Sequence, residues 1–103
     1  MSVALLVQDD KEAKQRLVPV ATQHVFKAKW LPGAHDLRLE WVDLMETGFD
    51  ITKDNQRAVV EELGRLREWL NSRSESYEVE RLDRLVAELR VLRFDSGATA
   101  FLG

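Results

Sequence analysis

The chain has 103 residues, room for one domain with one core, and its 45% hydrophobic and 32% charged residues are the composition of a globular protein. A formal net charge of −3 argues against a general nucleic-acid binder, and no run approaches the ~18 apolar residues of a membrane span. The absence of cysteine excludes disulfides and thiolate metal sites, and the N-terminus lacks the basic and apolar regions of a signal peptide, so a cytoplasmic protein is expected.

In chain order, Ser2 to Gln8 comes first: a short apolar run rich in branched residues that reads as a buried strand. Asp9 and Asp10 end it, and helix capping and solvated turn charge account for both. A helix is expected from near Lys11, capped by Asp10, with Ala13, Leu17 and Val20 or Ala21 on one side. Pro19 should end or kink it, because proline lacks an amide and clashes with the preceding turn. A further helix starts at Thr22 and carries Val25, Phe26 and Trp30. Leu31-Pro32-Gly33 then breaks it, unless Pro32 opens another short turn through His35.

Leu37 to Met45 fits two patterns. Leu37, Leu39 and Trp41 alternate as in a strand, whereas Leu37, Trp41 and Leu44 share a helical face. The clean alternation of Arg38 and Glu40 against the apolar positions favours the strand. Gly48 and then Phe49-Asp50-Ile51-Thr52 deliver the chain to its most legible part.

From Asp54 to Leu92 the pattern is that of two amphipathic helices folded back on each other. Val59, Val60, Leu63, Leu66 and Leu70 repeat at steps of three and four, as do Leu82, Leu85, Val86, Leu89 and Leu92. Thr52, Asp54 and Asn55 are candidate N-caps for the first helix. The polar run from Asn71 to Ser76 supplies a short connection, which favours antiparallel neighbours. The i,i+4 charge pairs on the outer faces contribute only a few tenths of a kcal/mol each. Burying one leucine contributes roughly 1.5–3 kcal/mol, so packing must hold the pair together. After the Asp95-Ser96-Gly97 turn, Ala98 to Gly103 reads as a last short strand beside the first.

The expected fold is therefore α+β. It is a helix-dominated single domain over 1–103, with an antiparallel helical hairpin (about 54–92) packed on a small sheet. That sheet would consist of the N-terminal run, the 37–45 segment and the tail. An all-α bundle is the alternative.

Chemistry-bearing motifs are scarce. His24 and His35 are the two imidazoles, neither lies in a metal-binding spacing, and ordinary surface histidines are the default reading. No nucleophile elbow, SxxK or phosphate-cradling glycine run occurs. Glu40 and Asp43 form the one plausible acid/base pair, and paired carboxylates need environments that separate their pKa values. No enzyme activity and no cofactor are expected.

Charge is unevenly distributed. Lys11, Lys14, Arg16, Lys27 and Lys29 against Glu12 give the 11–29 stretch a net +4. Asp36, Glu40, Asp43, Glu46 and Asp50 against Arg38 give 36–50 a net −4. Two faces that attract each other within the fold would explain this. The functional alternative is an acidic surface that steers a basic partner. Tryptophan is in excess at Trp30, Trp41 and Trp69, and Trp69 at the edge of a leucine face serves either the core or an interface.

Three functions follow in order. The first is a soluble protein-interaction module, homodimeric through uncovered helical leucines, with a protein or its own copy as partner and neither nucleic acid nor membrane. The second is an acidic inhibitor or immunity-type protein that binds a basic partner. The third is a small carboxylate enzyme. The expected partner-binding residues are Glu40, Asp43, Glu46, Asp50 and Trp69.

Overall fold

The computed structural model describes residues 2–8 and 15–103. Among the described residues four strands form one antiparallel sheet in the order β2-β1-β4-β3. They are β1 (Ser2–Gln8), β2 (Arg16–Thr22), β3 (Phe49–Ile51) and β4 (Thr99–Leu102). The C-terminal strand lies between the first and third strands. Ala4 and Gly103 exchange backbone hydrogen bonds of 3.3 and 3.0 Å at its end.

Register assigns the two faces. Val18, Leu5, Leu102 and Phe49 stand opposite one another across the sheet, as do Arg16, Val7, Ala100 and Ile51. Except for Arg16, these belong to or border the core, and Arg16 reaches Glu88 at 2.8 Å on the helical side. Helices cover this face and leave the other open.

The tail strand and the N-terminal strand agree with the sequence pattern, and the domain is α+β. Two expectations are corrected. Arg16–Thr22 is a strand, not a helix, because Val18 and Val20 alternate into the core while Leu17 and Pro19 face out. Pro19, which cannot donate to a ladder, sits on an edge strand, where the sheet tolerates it. The expected cap at Asp10 and helix start near Lys11 lie outside the described residues.

The second correction concerns 37–45, which is helical. A continuous helical run begins with α1 (Gln23–Val25), capped by Thr22, whose Oγ1 accepts from the Val25 amide at 3.1 Å. It widens into a π-helical turn (Phe26–Trp30) and continues as α2 (Leu31–Leu37). The wide turn ends two residues before Pro32, whose ring and missing amide oppose a regular helical bond to the turn before it. Arg38 ends α2 in the left-handed conformation, φ 56°. The short α3 (Glu40–Leu44) follows. The apparent alternation is the end of one helix, a reversal and the start of the next. Leu39, Val42 and Met45, three residues apart, are the buried positions.

The hairpin is present as α4 (Gln56–Ser72) and α5 (Ser76–Arg90). Val59, Leu63, Leu66 and Leu70 meet the core from α4; Val79, Leu82, Leu85 and Leu89 meet it from α5. Arg67 clasps Asp83 across the pair at 2.7 and 3.2 Å. Gly33 lets α2 approach α4, since a Cβ there would fall 2.6 Å from Leu66 and 2.7 Å from Trp69. The hairpin leucines are thus buried inside the domain, whereas Val60 and Val86 are only partly buried at the outer edge of the helical pair.

Candidate functional site

The acidic stretch occupies α3 and the connection to β3. Glu40, Asp43, Glu46 and Asp50 are all exposed, with Leu44 standing 44% exposed among the first three. Asp43 lies 3.2 Å from His35 Nε2. Among the described residues no lysine or arginine pairs with these four carboxylates. Lys29 instead binds Glu75 at 2.7 Å, so the expected internal neutralisation of 36–50 by the basic stretch is not made there. Lys11 and Lys14 lie outside the described residues. Glu40 and Asp43 line none of the described cavities, and no three His, Asp or Glu residues converge among the described residues.

This acidic ridge depends on a side chain from another helix. The residue before α3, Leu39, has no side-chain oxygen to cap it. Glu62 of α4 does so instead, its Oε1 accepting from the Trp41 and Val42 amides at 2.8 and 3.1 Å. Desolvation outweighs those bonds and holds the Glu62 pKa above the ordinary carboxylate value. One carboxylate is therefore spent on ordering a helix that displays two others.

Trp69 is half-buried and engaged on its exposed edge. Its indole N–H donates to Asp36 at 3.2 Å, and the Arg73 guanidinium stacks 3.6 Å from its ring centroid. Asp36 also lies 3.8 Å from Arg73. This cluster sits between α2 and α4, distinct from Glu46 and Asp50. Trp41 packs in a tilted arrangement against Phe49, 5.2 Å between centroids, and Trp30 is fully buried.

The surface that sequence reasoning missed is the open face of the sheet. Leu17, Leu6, Phe101 and Asp50 stand directly opposite one another on four successive strands. Leu17 is 65% exposed, Phe101 39%, and Leu6 is half-buried. Pro19, Ala4, Gln8 and Thr99 extend this face, so Asp50 is its single charge among the described strand residues. Phe101 is seated on glycine: a Cβ at Gly48 would lie 2.3 Å from its ring. The acidic connection thus ends at the rim of an apolar row. The alternation of Arg16–Thr22 was the available signal, hidden behind an expected helix.

Comparison with known proteins finds no matching family model, and no curated protein or solved structure significantly similar to the chain.

Proposed function

We propose that this chain is a protein-interaction module that docks through the open face of its sheet. The observation that carries the reading is the row Leu17–Leu6–Phe101, apolar and solvent-facing, ending at Asp50. A large apolar residue exposed singly is unremarkable; neighbours aligned across an uncovered sheet face support an interface reading. The partner is a protein, either another chain or a second copy giving a homodimer, and no catalytic step is assigned.

The acidic inhibitor-type reading remains second. It is favoured by the exposure of Glu40, Asp43 and Glu46 without lysine or arginine partners among the described residues. The two readings separate by substitution. Leu17→Lys with Phe101→Lys should abolish self-association in sedimentation velocity, or capture of a partner reproducibly retained by the wild-type chain. Glu40→Lys with Glu46→Lys should leave that binding in place. Loss with the second pair alone would transfer the function to the acidic ridge.

A further inference from the structure

Glu78, in the first turn of α5, is the single charged residue in the core among the described residues, with 4% of its surface exposed. Its Oε1 accepts the Trp30 indole N–H at 2.9 Å, and no described residue donates to its second oxygen. Burying a carboxylate is unfavourable unless donors compensate, and one neutral N–H fills only part of its acceptor capacity. No side-chain oxygen or nitrogen among the described residues is both sealed from solvent and unbonded, so the second oxygen retains access to solvent.

Glu78 also lines a cavity of about 240 Å³. It lies between the N-terminal end of α5, the β2 edge and the start of the helical run. Pro19, Val20, Ala21 and Val25 form apolar walls, and Arg81 with Tyr77 borders it on α5. Arg81 is turned onto Tyr77, donating to the phenolic oxygen from Nε at 3.2 Å and Nη2 at 2.6 Å. Its Nη1 has no partner among the described residues. The π-helical turn, a rare conformation that recurs at functional sites, begins directly after Val25 and aims Trp30 at Glu78.

We infer that this cavity binds a small zwitterion, an α-amino acid with an aliphatic side chain. Its ammonium group donates to the free oxygen of Glu78, its carboxylate meets Arg81 Nη1, and its side chain rests on Val20 and Val25. A simple cation matches less well, because the Arg81 charge opposes it; a simple anion is opposed by Glu78. The cavity volume lies below the ~300–1,000 Å³ of sites for drug-sized ligands, as a single small metabolite requires.

The Trp30 indole N–H is a reporter at the site itself. In ¹⁵N-labelled full-length protein, L-leucine should shift its cross-peak saturably, with a dissociation constant of about 1 mM or tighter. 3-Methylbutylammonium and 4-methylpentanoate, each lacking one charge, should bind at least ~10-fold more weakly. Glu78→Gln keeps an acceptor for Trp30 and should remove the leucine response. Arg81→Gln, a change at the cavity rim, should erase the advantage of leucine over 3-methylbutylammonium, which keeps the test decisive if Glu78→Gln does not fold. An unmoved indole peak, a response unchanged in Glu78→Gln, or equal binding of the three compounds would each overturn the assignment.

Discussion

Glu62 offers the sharpest test of how the acidic ridge is held. Replacing it with alanine leaves the Trp41 and Val42 amides without their acceptor. A lost cap costs about 0.5–2 kcal/mol, and a hydrogen bond to a charged group about 1.5–3 kcal/mol. Glu62 is partly exposed and its desolvation offsets some of that gain, so Glu62→Ala should destabilise by about 1–2 kcal/mol. Against a total of about 5–15 kcal/mol this is readily measured by urea denaturation. Amide exchange should accelerate at Trp41 and Val42 more than in α5. Glu62→Gln keeps an acceptor and removes the desolvated charge, so it should stay within about 0.5 kcal/mol of the parent. The pH dependence has a definite sign. The pKa of Glu62 is raised on folding, so between its unfolded and folded values the native state binds more proton. Stability of the parent relative to Glu62→Gln should therefore fall as pH rises through that window and level off above it. An unchanged denaturation midpoint in Glu62→Ala with unchanged exchange at Trp41 and Val42 would refute the capping role. A relative stability that rises with pH would refute the dominance of desolvation.

Other substitutions probe the framework. Leu63→Ala and Leu85→Ala remove side chains with no exposed surface and should each cost about 2–5 kcal/mol by urea denaturation, whereas Leu17→Ala should stay within about 0.5 kcal/mol. Gly48→Ala combines a φ of +98° with a clash against the Phe101 ring. Strain at such a position costs about 1–3 kcal/mol. The clash component should be recovered in the Gly48→Ala/Phe101→Ala pair, giving clear non-additivity in a double-mutant cycle.

The hairpin was legible because its information is local: leucines at steps of three and four define a face whatever lies against it. The terminal strands were legible for a similar reason, being short apolar runs bounded by turn residues. The failures are non-local. Arg16–Thr22 holds Leu17 and Val20 at a helical spacing, and only pairing with β1 reveals that Leu17 faces solvent. In 37–45 the period changes where Arg38 turns left-handed, and the cap that starts α3 comes from Glu62, more than twenty residues later. Of the residues expected to meet a partner, Asp50 reaches the apolar row and Trp69 is placed elsewhere, against Asp36 and Arg73. Whether the four carboxylates pair internally or stand exposed was open in the sequence, and their relation to a sheet face was invisible there, because Phe101 is brought to Asp50 only by the insertion of β4 between β1 and β3.

The magnitudes constrain what the open face can do. Fully burying a leucine or phenylalanine contributes about 1.5–3 kcal/mol, but Leu6 is already half-buried and Phe101 is partly covered by its neighbours. Association itself costs about 4–15 kcal/mol in lost translational and rotational freedom. The row Leu17–Leu6–Phe101 is thus too small to hold a tight complex alone. A stable complex must extend over Pro19, Gln8 and Thr99 toward the roughly 800 Å² per partner of ordinary interfaces, or draw on the acidic rim. These alternatives differ in their response to salt. Contact confined to the apolar row is indifferent to ionic strength between about 0.05 and 0.5 M, whereas reliance on Asp50 and Glu46 slows association as the screening length contracts to a few ångströms. Glu46→Lys with Asp50→Lys should reproduce that slowing at low salt without lowering the melting temperature. A lower melting temperature with unaltered association would instead assign those two carboxylates to the stability of the fold.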